Sequence, residues 1–118
     1  MNPSASYTVM TGYVPGSIGR MAELHGTYYQ THWNFSLFFE AKVATELSAF
    51  LQRYDGNRDG IWTAEINGRV EGGIVIDGLQ ARTEGAHLRW FIVSEALRGQ
   101  GAGRRLIETA LAFCRKKH

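Results

Sequence analysis

The chain has 118 residues, of which 44% are hydrophobic and 12% aromatic, a composition typical of one folded domain and not of a disordered tail. A formal charge of +2 is too small to indicate nucleic-acid binding, and the single cysteine, Cys114, excludes an internal disulfide and a cysteine-based zinc cluster. No signal segment and no apolar run of the roughly 20 residues that span a bilayer is present, so we expect a cytoplasmic protein without membrane contact.

The first half of the chain predicts a strand and two helices. Residues 1–6 are small and polar and are expected to form a loose end before a strand over 7–14. Pro15-Gly16 ends that strand, and Ser17 is the predicted cap of a first helix. One face of this helix is expected to carry an aromatic and histidine-bearing stripe of residues at helical spacing: Ile18, Met21, Ala22, His25, Tyr28, Tyr29 and His32. A second helix is predicted over 37–54.

The segment Asp55-Gly56-Asn57-Arg58-Asp59-Gly60 begins like the calcium loop of an EF-hand. That loop needs a glutamate at its twelfth position, where this chain has Ile66. We therefore interpret the segment as a turn. His25 and His32 lie seven residues apart, which is not the i, i+4 spacing of a helical metal pair, so we assign no metal site.

The second half predicts three strands and a helix. Strands over 61–66 and 69–76 flank Asn67-Gly68, the pair that favours a type I′ hairpin turn, and Gly72-Gly73 indicates a bulge or a close backbone approach. A polar loop over 77–85 leads to a strand over 86–93. The final helix is expected to present one apolar face and to bury Cys114 as a structural thiol. That face comprises Leu106, Ile107, Ala110, Leu111, Phe113 and Cys114.

Between the last strand and the last helix lies Arg98-Gly99-Gln100-Gly101-Ala102-Gly103. A strand, a glycine-rich turn and a helix gather free backbone N–H groups around an anion, which predicts a phosphate or pyrophosphate site. A Walker loop would need Gly-Lys-Ser/Thr, but Gly103 is followed by Arg104. A dinucleotide fingerprint would need G-x-G-x-x-G, and Arg104 occupies the sixth place.

The spacing of Arg98, Gly101 and Gly103 gives Arg/Gln-x-x-Gly-x-Gly, which resembles the pyrophosphate-binding motif of the GCN5-related N-acetyltransferase (GNAT) superfamily, whose members hold acetyl-coenzyme A. Val93 and Gly99 also match the pattern, whereas Glu95 stands where proline is common. The element order β-α-α-β-β-β-α is similar to the N-terminal and central part of that fold. More narrowly, the chain is similar to the acetyltransferase portion found alone or fused behind MarR-type regulators.

The resemblance implies an α/β (α+β) fold of three layers, α/β/α, with a mixed, mainly antiparallel sheet. Residues 1–118 would form a single acyl-CoA N-acyltransferase-like domain. A complete GNAT domain continues with a further strand and helix, so the resemblance implies truncation after the glycine-loop helix. The strand that ends at Val93 would then be an exposed edge, which predicts a homodimer.

The resemblance also implies roles for individual residues. The backbone of Phe91, Ile92 and Val93 would pair with the pantetheine arm, and the Val93 amide would polarise the thioester carbonyl. Backbone amides would hold the pyrophosphate, with Arg98 shaping the loop or touching phosphate. Those amides belong to Gly99, Gln100, Gly101, Ala102, Gly103 and Arg104.

Two groups of side chains are candidates for the chemistry. Glu84 and His87, at the start of the strand, are candidate general bases, directly or through water. The first helix and the connection after it would frame the acceptor. The candidates there are His25, Tyr28, Tyr29, His32 and Trp33.

We therefore expect an acetyl-CoA-dependent N-acetyltransferase that acts on a primary amine of a small molecule or a protein. A non-catalytic acyl-CoA-binding domain, or a fragment without turnover, is the alternative. A nucleotide- or phosphate-binding domain of another kind is a third, which the glycine spacing disfavours.

Overall fold

The structure is a computed structural model that describes residues 6–118. Residues 1–5, most of the predicted loose end, lie outside the described residues. The elements follow the predicted order. They are β1 (Thr8–Thr11), α1 (Ser17–Trp33), α2 (Leu37–Gln52), β2 (Gly60–Ile66), β3 (Arg69–Asp77), β4 (His87–Val93), a short 3-10 helix (Glu95–Leu97) and α3 (Ala102–Lys117).

The strands form one sheet in the order β1-β2-β3-β4, and every pairing between them is antiparallel. The predicted hairpin joins β2 to β3, with Asn67 and Gly68 at φ values of 52° and 78°. These left-handed values are what a type I′ turn needs. Within the described residues β4 pairs with β3 alone, so it lies at one edge of the sheet.

Helices cover both faces of the sheet. Alternate residues of a strand point to opposite sides, so the apolar residues of the strands form one cluster on each face. One apolar cluster joins Trp62, Ile74 and Ile76 of the strands to Leu106 and Ala110 of α3. The other joins Ile61, Val75 and Ile92 to α1 and α2 through Met21, Leu24, Leu47 and Phe50. The predicted three-layer α/β/α arrangement is confirmed.

The predicted irregularity at Gly72-Gly73 is present. The pairing of β2 with β3 shifts between Ala64 and Glu65, so Glu71, next to Gly72, has no register partner on β2. A Cβ on Gly73 would lie 2.5 Å from Met21 Sδ, so α1 packs directly against the backbone at this glycine. The missing side chain lets the helix approach the sheet.

A second irregularity, which the sequence did not indicate, lies in β4. Ile92 pairs with Gly73 and Arg89 with Val75, so Trp90 and Phe91 share the space opposite one residue of β3. Trp90 has a φ of 48°, unusual for a bulky side chain. This geometry is a β-bulge. As a result Arg89 and Trp90 both contact α2, Arg89 through Glu46 at 3.2 Å.

Three predictions for the N-terminal half are wrong. The first strand covers Thr8–Thr11 and not 7–14. Ser17 does not cap α1: Gly16 occupies the cap position with a φ of 93°, and Ser17 is the first helical residue. Its hydroxyl donates to the Val14 carbonyl at 2.6 Å, which closes the turn before the helix. The second helix also ends earlier than predicted, at Gln52.

The last helix departs from its predicted face at one residue. Leu111 is 42% exposed, because Leu106 and Ala110 face the sheet and Leu111 lies beyond the edge of that face. Cys114 is half-buried beside the core, where burial raises the pKa of its thiol. A raised pKa keeps the thiol protonated, which agrees with a structural role and not a nucleophilic one.

The turn after α2 is organised by a buried carboxylate. Asp59 is fully enclosed and accepts hydrogen bonds from the backbone N–H groups of Asp55 at 3.0 Å and Gly78 at 2.8 Å. It therefore ties the turn to the end of β3. Within residues 6–118, no group of three or more His, Cys, Asp or Glu side chains could hold a metal ion.

Candidate functional site

The open edge of β4 presents backbone groups at its carboxyl end. The Ser94 N–H donates to the Glu71 carbonyl at 2.8 Å. Hydrogen-bonding groups alternate in direction along an antiparallel strand, so the N–H and C=O of the preceding residue, Val93, point away from β3. No other described strand lies on that side. Val93 can therefore pair with an extended ligand laid along the edge.

A compact turn follows Val93 and leads into α3. Ser94 caps the 3-10 helix by accepting from the Ala96 N–H at 3.2 Å, and the Gln100 N–H donates to the Leu97 carbonyl at 3.2 Å. Gly99 and Gly101 both have a φ of 80°. Residues with a Cβ rarely adopt this left-handed conformation, so the path of the loop requires glycine at both places.

The amides at the start of α3 are free to bind an anion. The first helical hydrogen bond runs from the Arg105 N–H to the Gly101 carbonyl at 3.0 Å. Among the described residues, the N–H groups of Gly101, Ala102, Gly103 and Arg104 have no partner. The first turn contains no capping side chain and no acidic residue. The positive end of the helix dipole is therefore exposed.

Gly103 brings these amides close to β4. A Cβ at this position would lie 3.4 Å from both Phe91 Cζ and Val93 Cγ2. The first turn of α3 thus packs on the side chains that β4 directs to this face. The free amides of α3 and the outward amide of Val93 consequently belong to one continuous surface.

Three arginines surround this surface in different ways. Arg98 lies with its guanidinium carbon 5.6 Å from the centre of the Tyr28 ring. Arg104 pairs with Glu108 at 3.3 Å and is largely exposed, whereas Arg105 lies over the Tyr7 ring. Arg98 is therefore the arginine that connects the glycine loop to α1.

A cleft of about 500 Å³ opens between α1 and the carboxyl end of β4. Its walls include Val93, Ser94 and Arg98 from the loop side and Tyr28 and His32 from α1. The rings of Tyr28 and His32 lie 4.3 Å apart. The cleft thus begins at the end of β4 that carries the outward Val93 amide.

An ion-pair network forms one wall of this cleft. Arg20 donates to Glu71 at 2.8 Å, to Glu23 at 2.8 Å and to the Val70 carbonyl at 2.7 Å. Sequence reasoning did not single out these three charged residues. Their pairing depends on α1 crossing the hairpin at Val70, a long-range contact that no local pattern indicates.

The predicted acceptor residues separate into three places. Tyr28 and His32 line the cleft, as described above. His25 and Tyr29 instead line a second pocket of about 270 Å³, beside Trp90 and Phe91 of the β4 bulge. Trp33 is 65% exposed and lines neither space.

The two candidate bases lie at the other end of β4. Glu84 and His87 are both exposed, and Glu84 Oε1 lies 3.4 Å from His87 Nε2. His87 precedes Val93 by six residues, a separation of about 20 Å at about 3.3 Å per residue. Neither lines the cleft. Their catalytic role stays a prediction.

The remaining predicted cofactor residues lie on β4, in the loop after it and at the start of α3. Phe91 and Ile92 belong to β4, and the Ile92 side chain is buried against α1 and α2. Ala102 is also buried, so only the backbone groups of Ile92 and Ala102 are available to a ligand. The Gln100 side chain contacts Ser6 and the Ala96 carbonyl, which steadies the outer side of the loop.

This arrangement matches a known class of proteins. The family model of the Acetyltransferase (GNAT) family matches residues 19–118. This chain therefore belongs to the GNAT acetyltransferase family. A comparison with curated proteins gives no match.

Solved structures show the same fold. An acetyltransferase from Streptococcus agalactiae 2603 superimposes with a TM-score of 0.72 at 19% identity, covering 96% of this chain and 68% of that one. A GNAT-family acetyltransferase from Staphylococcus aureus Mu50 gives 0.72 at 15% identity, covering 93% and 66%. A glucosamine-6-phosphate N-acetyltransferase from Arabidopsis thaliana gives 0.57 at 15% identity, covering 92% and 76%. The chain thus spans about two thirds of the length of the first two structures.

In the part of the chain that the structure describes, no helix is both long enough and apolar enough to cross a membrane.

Proposed function

We propose that this chain binds acetyl-CoA and transfers its acetyl group to a primary amine of a small molecule or a protein. One observation carries the proposal: the unpartnered amides of Gly101 to Arg104 lie beside an open strand edge on which Val93 directs its own amide outward. A pyrophosphate and an extended amide-containing chain are the two chemical parts of coenzyme A that such a surface recognises.

The loop fits a pyrophosphate sterically as well as electrostatically. Nothing lies within 4 Å of the Cβ positions of Gly99 and Gly101, so phosphate oxygens can approach the backbone there. The absence of an acidic residue from the first turn of α3 removes a competing negative charge. Arg98, which is exposed and lines the cleft, supplies a positive charge on the cleft side of the loop.

Transfer needs a neutral amine, a polarised carbonyl and a proton for the leaving thiolate. A thioester laid along β4 would have its carbonyl oxygen within reach of outward amides of the strand, of which Val93 is one. As the amine nitrogen bonds to the carbonyl carbon, the carbon–sulfur bond breaks and its electron pair leaves with sulfur. The amine loses one proton and the thiolate gains one.

Calorimetric titration tests the binding step. Acetyl-CoA should give a saturable heat with one site per chain, and acetyl-pantetheine, which lacks the pyrophosphate, should bind at least about 100-fold more weakly. This ratio corresponds to two charge-assisted hydrogen bonds at about 1.5 kcal/mol each. A folded sample that gives no heat with acetyl-CoA would refute the proposal.

A non-catalytic acyl-CoA-binding role is the second candidate, favoured by the open edge of β4 and by the distance of Glu84 and His87 from the cleft. A thiol-release assay over a panel of primary amines separates the two. Thiol release above the no-enzyme rate supports transfer, whereas bound acetyl-CoA without release supports the binding role.

A further inference from the structure

The second pocket lies where α1 and α2 cross the β4 bulge, and we refer to it as the bulge pocket. Its walls include His25 and Tyr29 of α1, Phe39 and Glu46 of α2, and Trp90 and Phe91 of β4. Tyr29 and Phe39 stack with their ring centres 4.7 Å apart. The pocket is thus bounded mainly by aromatic residues and lies against the strand proposed to hold the thioester.

His25 contributes the one histidine of this pocket, and its tautomer follows from its contacts. Nδ1 lies 2.8 Å from the Met21 carbonyl, which can only accept a hydrogen bond, so Nδ1 carries the proton. In the neutral ring, Nε2 then has a free lone pair. His25 is only 4% exposed, so packing fixes the orientation of its side chain.

The free nitrogen is open to the pocket. Among the described residues, Thr63 Oγ1 is the one fully enclosed polar side-chain atom without a partner. His25 Nε2 also has no partner, yet it is not one of the fully enclosed atoms, so part of its surface is accessible. The accessible side faces the pocket that the ring lines. A ligand N–H entering the pocket is the missing partner that this geometry suits.

The charged groups around the pocket neutralise one another. Lys42 pairs with Glu46 at 2.8 Å, and Glu46 also pairs with Arg89 at 3.2 Å. Arg89 in turn contacts Asp77 on β3 at 3.2 Å. Among the described polar side chains that line the pocket, the imidazole of His25 and the hydroxyl of Tyr29 are therefore the ones left with an unpaired acceptor. Glu40 of α2, which lies beside Gly26 of α1, is within residues 6–118 a further unpaired carboxylate near His25.

We propose that His25 Nε2 is the general base that accepts the proton of the acceptor amine in the bulge pocket. The inference rests on the proposed acetyl transfer and adds the residue and the ligand class. The amine nitrogen forms its bond to the acetyl carbon, the carbon–sulfur bond breaks toward sulfur, and the amine proton moves to Nε2. The protonated ring then releases this proton to solvent, and the thiolate takes one from solvent.

The surroundings of His25 suit this role. Burial lowers the pKa of His25 below its ordinary value of 6.5, and the hydrogen bond to Met21 opposes this only in part. The ring is therefore neutral at neutral pH and available to accept a proton. The aromatic walls favour an amine with an aromatic or apolar body and also attract its cationic form.

The kinetic test compares His25→Gln with the wild type across pH. The wild-type kcat at saturating amine should fall at acid pH, as the pH drops through the lowered pKa of His25, because protonation removes the lone pair. His25→Gln should lower kcat by about 10²-fold or more and flatten this acid limb, with the acetyl-CoA dissociation constant unchanged within about twofold. His118→Gln, at an exposed histidine outside both pockets, is the matched control and should keep the wild-type profile.

The binding test needs no turnover. Imidazole NMR resonances of the wild-type chain are followed during titration with benzylamine, and His25 should shift while His118 does not. Unmoved His25 resonances at saturating benzylamine, or a His25→Gln variant with the wild-type rate and acid limb, would overturn the assignment. If His25→Gln does not fold, the wild-type titration still decides. Failure of acetyl-CoA to bind the wild type would instead refute the proposed function.

Discussion

Replacing Gly101 with alanine should separate the geometry of the loop from the stability of the fold. Gly101 has a φ of 80°, and a Cβ there would meet nothing within 4 Å. The substitution therefore introduces no clash, only backbone strain. Gly68, in the hairpin turn, is a matched control, because its φ is 78° and its Cβ position is equally open.

Both substitutions should lower the free energy of unfolding by about 1–2 kcal/mol, the cost of a left-handed residue with a Cβ. They should differ in ligand binding. If the loop relaxes from the left-handed conformation, the amides of Ala102 and Gly103 turn away from a shared phosphate. Losing one or two hydrogen bonds to a charged group, at about 1.5 kcal/mol each, weakens acetyl-CoA binding by about 10- to 100-fold.

Chemical denaturation gives the stability change and calorimetry gives the dissociation constant for each variant. Gly68→Ala should bind acetyl-CoA as the wild type does. Equal dissociation constants for Gly101→Ala and Gly68→Ala would show that the glycine loop does not hold the ligand.

The remaining predictions concern stability and assembly. Burial raises the pKa of Asp77, but hydrogen bonds from Arg53, Leu79 and Arg89 leave it below 3.8. Asp77→Asn should therefore lower the free energy of unfolding by about 2 kcal/mol at neutral pH. Urea unfolding at a series of pH values should show this difference disappear as acid protonates the wild-type carboxylate. Gly73→Ala, whose Cβ would lie 2.5 Å from Met21 Sδ, should lower stability by about 1–3 kcal/mol in the same assay, and an unchanged midpoint would contradict the close packing. In the absence of ligand the open edge of β4 should pair two chains, so light scattering of the ligand-free protein should give a dimer mass, and a stable ligand-free monomer would contradict this.

Local chemistry explains why much of the fold could be predicted. Asn67-Gly68 specifies a turn by the backbone angles that the two residues tolerate, and the β-branched and aromatic residues on either side favour strands. The glycine loop is equally local: Gly99 and Gly101 adopt left-handed angles, and α3 starts directly after them. These features depend on residues close together in the chain.

The features that sequence reasoning missed depend on distant contacts. The bulge at Trp90 reflects how β4 packs on α2, since Trp90 and Arg89 reach Phe50 and Glu46. No residue in the strand predicts a positive φ at a tryptophan. The exposure of Leu111 likewise depends on how far the sheet extends beneath α3.

The candidate site divides in the same way. The anion-binding loop is continuous in sequence and could be located from its spacing. The cleft is assembled from α1, β3 and the end of β4. The contact of Arg20 with Glu71 depends on how α1 packs over the hairpin, so no local pattern predicts it. The separation of Glu84 and His87 from Val93 follows from the length of β4. The predicted strand already had this length, but the choice of these two residues as candidate bases did not take it into account.

The central claim is that the glycine loop and the outward edge of β4 hold the coenzyme. A titration of the 15N-labelled chain with coenzyme A, followed by amide NMR, tests this residue by residue. The largest shifts should fall on Gly101 to Arg104 and on Val93, with Gly68 unmoved. Saturable binding that leaves these amides unchanged and shifts others would contradict the claim.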